Sequence, residues 1–409
     1  MRIAFDGTTL RPGRTGVGYY TEHLLHHLAQ EAPDEEIVVV SNRPIDTTAP
    51  LPANVGTADE GWRTPRMVWM QLQAPRLLRG LGADVAHFTN GMMPIAVSVP
   101  TVVTIHDMSL TLYPRFHPTR RVLLNKPLVD LAARRADAII TVSESARRDI
   151  MGLYKLSRDR VHVVHEAAAP SFGPVCDEKR IARVRAKYGL GERVILYVGT
   201  IEPRKNLPKL IDAFAAGWRA GDLRDHQLVC AGPYGWLSRG VEQQLDALQI
   251  GDAILFTGYV PFNELPVLYS LAEVFVFPSM YEGFGLPVIE AMACGTPVVT
   301  GRNSSLAEVA GGAIQHVDRL DADALGAAMV ALARDPLRRA ELSAKGLRRA
   351  RMFSWQRAAR ETLAIYESVA GRRLGRRAFD RAPAFAEAVL EPLPVPSARA
   401  ARKSDAVEA

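Results

Sequence analysis

No window of this chain holds the roughly 18 uninterrupted apolar residues that a membrane-spanning helix needs. Cysteine is scarce: Cys176, Cys230 and Cys294 lie far apart and none forms a Cys-x-x-Cys pair. That argues against a disulfide framework or a cysteine-ligated zinc and predicts isolated, reduced thiols in a cytoplasmic protein. The first residues, Met1-Arg2-Ile3-Ala4-Phe5-Asp6-Gly7, lack the apolar core and cleavage site of a secretory leader and predict a short strand running into a loop. No large excess of one charge is present. The net charge of +6 does not specify a partner, since nucleic acid, a phosphate-rich ligand and an anionic membrane all fit it.

What is present is a globular composition, 48% hydrophobic over 409 residues, too long for one ordinary core. Short β-branched runs alternate with helical patterns. In the first half the runs are Ile3–Phe5, Ile37–Val40, Val85–Phe88, Val102–Ile105, Ala138–Val142 and Val161–Val164, with helical patterns such as Tyr20–Gln30 and Arg121–Arg135 between them. In the second half they are Val194–Val198, Leu228–Ala231, Ile254–Phe256, Val274–Phe277 and Val298–Val299, separated by patterns such as Leu207–Ala215, Leu265–Ala272 and Pro287–Ala293. Continuous apolar strands separated by helices predict parallel sheets covered on both faces.

Two such series predict two doubly wound α/β domains, residues 1–170 and 177–352, broken near Ala167–Asp177 and followed by a helix within 353–370. A helix near Asp177–Tyr188 opens the second domain. Residues 371–409, rich in Ala, Arg and Pro, read as a disordered tail with one short helix around Arg381–Leu390. Ligands of such sheets bind at the carboxyl ends of the strands, so the natural site is the cleft between the domains.

Four stretches at strand ends carry chemistry. In Tyr281-Glu282-Gly283-Phe284-Gly285-Leu286-Pro287-Val288-Ile289-Glu290, the glycines let the backbone approach a ligand and Pro287 suits a first helical turn. The N–H groups around Gly283–Leu286 then face a phosphate, Glu290 can accept from a ribose diol, and Glu282 can face a sugar. Gly199-Thr200-Ile201-Glu202-Pro203-Arg204-Lys205-Asn206 puts two adjacent cations at a strand end, as a diphosphate leaving group requires when no metal assists it. His106-Asp107 follows the strand Thr101–Ile105. Gly13-Arg14-Thr15-Gly16-Val17-Gly18 is a glycine-rich loop at a helix start, but Thr21 stands where a dinucleotide fingerprint has its third glycine, and Val40-Ser41-Asn42 offers no acid for a ribose, against a dehydrogenase.

Two glutamates eight positions apart around Gly-Phe-Gly-Leu-Pro resemble the signature of the family 4 retaining glycosyltransferases. The resemblance covers about Met1–Ala370 and implies the GT-B fold, two Rossmann-like domains facing a central cleft. It implies that Glu290 binds the donor ribose, that Glu282 and His106 lie at the donor sugar as catalytic residues, and that the His106 main-chain carbonyl lies near the reacting carbon. It implies further that Arg204 and Lys205 hold the diphosphate and that the loop at Gly16 closes over it. Gly283, Phe284, Gly285 and Leu286 would bind phosphate, and backbone near Tyr259 and Val260 would read the base. No metal or other cofactor is implied.

The Gly-Arg-Thr-Gly-Val-Gly and Thr-Ile-His-Asp-Met stretches resemble bacterial mannosyltransferases of surface-polysaccharide assembly. They imply GDP-mannose as donor, with a UDP-sugar second, and a glycan or lipid-linked glycan as acceptor at the inner face of the cytoplasmic membrane. Arg115, Arg120, Arg121, Lys126, Arg134, Arg135, Arg147 and Arg148 form either a solvated basic face or a contact for anionic lipid; nucleic acid is not an expected partner. A nucleotide-sugar epimerase or a non-catalytic nucleotide-sugar-binding protein would share the fold, but the latter needs neither Glu282 nor His106. Asp321-Ala322-Asp323 fits a metal-binding Asp-x-Asp pattern and equally a helix start; capping is the expected role.

Overall fold

The computed structural model describes residues 1–58, 64–236 and 239–371. The expected tail helix Arg381–Leu390 lies outside the described residues. Strands β1 (Arg2–Asp6), β2 (Glu36–Val40), β3 (Val55–Ala58), β4 (Val85–Phe88), β5 (Thr101–Thr104), β6 (Ala138–Thr141) and β7 (Val161–Val163) form one sheet in the order β3-β2-β1-β4-β5-β6-β7. Strands β8 (Arg193–Val198), β9 (His226–Ala231), β10 (Ile254–Gly258), β11 (Val274–Phe277), β12 (Val298–Gly301) and β13 (Gln315–Val317) form a second in the order β10-β9-β8-β11-β12-β13. Every pairing between these strands is parallel.

The apolar runs follow from helices covering both faces. Ile3 and Phe5 of β1 enter one core cluster while Ala4 enters another on the opposite face, so every position must be apolar. Edge strand β3 escapes the pattern because only Val55 is buried and Gly56 and Thr57 face solvent. The sequence pattern therefore did not mark it.

The last described helix, Trp355–Val369, returns to the first sheet. It packs on the helix Gly16–Glu31, where Arg360 pairs with Glu31, and Tyr366 Oη lies 2.5 Å from His87 Nδ1 beneath that sheet. Ser354 starts it by accepting from Arg357 N. The helix Trp355–Val369 thus straps the second lobe to the first.

Both strand orders reverse direction, at β1/β4 and at β8/β11. Such switch points leave a crevice at the carboxyl ends of the strands. Asp6 ends β1, Thr89 follows β4, Gly199 follows β8 and Pro278 follows β11, so these loops line the crevices.

Candidate active site

After β8 the chain makes a tight turn at Pro203–Lys205, closed by Asn206 in the left-handed region at φ 58°, and enters the helix Leu207–Arg219. This turn sets Arg204 and Lys205 side by side. Arg204 donates to the Tyr281 carbonyl and pairs with Glu202 at 2.7 Å and with Glu282 at 2.9 Å. Lys205 Nζ reaches Glu282 Oε1 at 2.6 Å and sits 4.8 Å from the Phe277 ring centroid. Ser279 Oγ donates to the same Glu282 oxygen at 2.5 Å.

Burial pushes the Glu282 carboxyl up, but Arg204, Lys205 and the Ser279 hydroxyl outweigh it and hold the pKa at about 2. Burial lowers Lys205 on balance, whereas at Arg204 the neighbouring carboxylates overcome burial and raise it. The Glu282 carboxylate and the Arg204 guanidinium are therefore charged at neutral pH.

The loop after β11 then passes through Gly283 and Gly285. A Cβ at Gly283 would lie 1.9 Å from the His106 carbonyl oxygen of the other lobe, so only glycine permits this approach. Gly285 has φ 105° and a Cβ there would meet Leu306 Cδ2 at 2.6 Å. Asn303 Nδ2 donates to the Ser279 and Met280 carbonyls, Ser304 Oγ accepts from Glu282 N, and Ser305 Oγ donates to the Glu282 and Phe284 carbonyls.

The helix Leu286–Ala293 starts there with Pro287 in its first turn. The Phe284 ring is buried edge-on against Phe353 at 5.6 Å, and its backbone stands just before the helix start. A Cβ at Gly16 would lie 3.8 Å from Leu286 Cδ1, so the glycine-rich segment faces this helix start. Gly16 and Gly18 prove to belong to the first turn of the helix Gly16–Glu31 rather than to a loop before it. Glu290 accepts from Tyr269 Oη at 2.9 Å, and burial raises its pKa to about 7.

On the first lobe, His106 follows β5. Its Nδ1 lies 3.2 Å from Glu166 Oε1 and its Nε2 lies 3.0 Å from the Thr89 carbonyl. Both neighbours can accept, an arrangement that favours the doubly protonated ring. Burial lowers the His106 pKa, but the Glu166 hydrogen bond and charge overcome it and raise it. The ring is thus engaged on both sides, while the carbonyl faces Gly283.

Several contacts cross the cleft. Tyr281 Oη donates to Asp149 at 2.7 Å and accepts from Met108 N at 3.3 Å. Glu308 accepts from Glu144 N at 3.0 Å, Ser145 N at 3.1 Å and His165 Nε2 at 2.9 Å. Tyr19 stacks on Phe262 at 4.1 Å near Tyr259, which is 50% exposed, while Val260 is buried. Asp321 Oδ1 caps the helix Ala322–Arg334 through Ala324 N at 2.9 Å. Among the described residues no group of three or more His, Cys, Asp or Glu side chains could hold a metal ion.

The structure therefore brings His106, Gly283, Glu282, Arg204 and Lys205 together and places Gly16 against Leu286. Sequence reading missed Glu166, Ser279, Tyr269 and Glu308. For Glu166 a signal existed, a carboxylate just past the carboxyl end of β7; the other three have no local signature.

Two parallel sheets of this order, facing each other across a cleft lined by these groups, define a GT-B glycosyltransferase. Two family profiles match: "Glycosyltransferase Family 4" over residues 14–171 and "Glycosyl transferases group 1" over 179–349. The O-antigen chain mannosyltransferase B of Escherichia coli is 30% identical over 382 residues, covering 90% of this chain and 100% of that one. The MMP alpha-(1->4)-mannosyltransferase of Mycolicibacterium hassiacum is 28% identical over 423 residues, 91% of this chain and 99% of that one. Sucrose-phosphate synthase of Thermosynechococcus elongatus shares the fold with TM-score 0.71 at 22% identity, covering 90% and 99% of the two chains. The chain belongs to glycosyltransferase family 4 and is a glycosyltransferase.

Proposed function

We propose that this glycosyltransferase moves mannose from GDP-mannose to a glycan or lipid-linked glycan acceptor, with retention at the anomeric carbon and without a metal. The observation that carries the reading is the contact of Gly283 with the His106 carbonyl, beside the Arg204–Glu282–Lys205 cluster. It sets a carbonyl dipole against the loop that carries Glu282, which pairs with both cations and leads into a helix start. The mannosyltransferase names of the full-length relatives support the choice of sugar.

In this reading Arg204, Lys205 and the backbone N–H groups at Phe284–Leu286 take the diphosphate, Glu290 accepts the ribose hydroxyls, and Tyr259 and Val260 border the base. The anomeric carbon–oxygen bond to phosphate breaks, positive character develops on the sugar, and the electron pair stays on the diphosphate. The His106 carbonyl and the Glu282 carboxylate face that positive charge. The acceptor hydroxyl attacks on the same face and passes its proton to the departing phosphate oxygen.

No helix among the described residues is long and apolar enough to cross a membrane. Leu123 and Leu124, 69% and 57% exposed on the helix Thr119–Arg135 beside exposed Arg120, support peripheral contact with an anionic membrane at the inner face of the cytoplasmic membrane.

The test is thermal unfolding with GDP, UDP, ADP and TDP, with and without EDTA, followed by transfer from GDP-mannose. A ligand at 100 times its Kd adds about 2.7 kcal/mol of stability. A shift with GDP that EDTA leaves intact is expected; a shift with UDP alone replaces the donor.

A further inference from the structure

A histidine stands inside an otherwise apolar strand. β4 reads Val85-Ala86-His87-Phe88, and all four residues are buried. Burial, with the charge of His106 second, pushes the His87 pKa down to about 3, so the ring is neutral. Both of its nitrogens are nevertheless engaged. Nδ1 lies 2.5 Å from Tyr366 Oη and Nε2 lies 2.7 Å from Thr104 Oγ1. Thr104 Oγ1 in turn lies 3.0 Å from Tyr20 Oη. All four side chains are fully buried. Donation can run either way along this chain, and in both directions each link holds one proton and none holds two. Buried polar groups cost free energy unless hydrogen-bonded, and a fully satisfied network fixes one arrangement of its members.

The two ends of the chain lie in different places. Tyr366 belongs to the strap helix Trp355–Val369, whereas Tyr20, on the helix Gly16–Glu31, meets His106 edge to face with ring centroids 4.6 Å apart at 88°. Thr104 stands two residues before His106. His87 stands two residues before Thr89, whose carbonyl lies 3.0 Å from His106 Nε2. Thr89 Oγ1 also accepts from Thr21 Oγ1, the neighbour of Tyr20, at 3.1 Å. Two groups that hold the His106 ring, the Tyr20 edge and the Thr89 carbonyl, are therefore carried by residues of this chain or by their neighbours.

We propose that Tyr366 and His87 are positioning residues for the transfer: the docked strap helix, acting through Tyr366–His87–Thr104–Tyr20, sets the orientation of the His106 ring and of the carbonyl that faces Gly283. This rests on the placing of His106 at the reacting sugar and adds what holds it there. The strap helix comes from the second lobe, so the geometry of a first-lobe group depends on how the lobes are seated.

The test is steady-state transfer from GDP-mannose by the full chain, beside NMR of the chain with isotope-labelled histidines. Tyr366→Phe removes one hydroxyl. It is expected to lower kcat about 10- to 100-fold, as a small misplacement of a reacting group does, to leave the donor KM within about twofold, and to move the His106 ring signals. Thr104→Val does the same, and Thr104→Ser restores most of the rate. The double variant Tyr366→Phe with Thr104→Val falls little further than either single change, because both break one network. Thr362→Val controls for packing: it is buried on the same helix, its hydroxyl has no hydrogen-bond partner among the described residues, and it should leave kcat and the His106 signals unchanged. Unmoved His106 signals in folded Tyr366→Phe and Thr104→Val overturn the inference, as do a loss carried by KM and losses that multiply in the double variant. Moved signals with wild-type kcat overturn instead the placing of His106 at the sugar, and the inference's step to transfer with it. A failure of the donor reading shows separately, as no transfer by the wild type, and the donor whose nucleotide stabilises the chain then replaces GDP-mannose.

Discussion

The Glu282 carboxylate lies between Arg204 Nη1 at 2.9 Å and Lys205 Nζ at 2.6 Å, so the cations available for a diphosphate are already paired within the site. A donor must compete with Glu282 for them. Glu282→Gln is therefore expected to bind GDP at least as tightly as wild type while transfer falls about 100- to 1,000-fold. Removing one partner of a buried ion pair costs about 3–5 kcal/mol, and GDP restores part of that loss. Lys205→Ala moves GDP affinity in the opposite direction. Calorimetry with a transfer assay separates the two; full transfer by Glu282→Gln removes this residue from the mechanism.

Glu290 supplies a pH dependence. Its carboxyl is raised to about 7 by burial, and in the ribose-binding role proposed above only the ionised form would accept both hydroxyls. GDP affinity is expected to fall as pH drops from 8 to 6. Stability runs the other way: between the ordinary carboxyl pKa and about 7 the folded state binds more protons than the unfolded state, so stability falls as pH rises through this window. Glu290→Gln removes that fall and weakens GDP at least tenfold, from the loss of charge-assisted hydrogen bonds of about 1.5–3 kcal/mol. A flat affinity profile in the wild type counts against the ribose role.

The Glu166 carboxylate raises the His106 pKa through its hydrogen bond and its charge. That raised pKa contributes stability that is fully present below the unfolded histidine value and is lost as pH rises through the folded one. Glu166→Gln is expected to lower the His106 pKa in an NMR titration and to shift the alkaline limb of the transfer rate to lower pH. An unmoved titration curve shows that Glu166 does not set the charge of the ring.

The Glu308 carboxylate of the second lobe receives the first N–H groups of the helix Glu144–Tyr154 in the first lobe, with His165 as a third donor. A carboxylate at a helix N-terminus is stabilising through both hydrogen bonds and the dipole. Glu308→Ala is expected to cost about 0.5–2 kcal/mol and to raise the radius of gyration of the nucleotide-free chain in solution scattering. GDP should bring it back toward wild type. An unchanged radius with unchanged GDP affinity leaves Glu308 as a local cap only.

The two sheets were legible in the sequence because strands buried on both faces must be apolar at every position, as in Val194–Val198 and Val274–Phe277. Edge strand β3 was not, since only Val55 of its four residues is buried, whereas the edge strands β7 and β10 kept apolar runs that could be read. The glycine and proline around Glu282 and the adjacent cations of Arg204-Lys205 were legible as well, because backbone approach and phosphate charge each demand a residue type at a local spacing. Tertiary structure alone decided which groups meet. Glu166 reaches His106 across 60 positions and Lys205 reaches Glu282 across 77, distances at which no periodic pattern links the partners. The contact of Gly283 with the His106 carbonyl depends on the two sheets closing across the cleft, and that closure is set by packing of whole surfaces, including the strap helix Trp355–Val369, rather than by any run of residues.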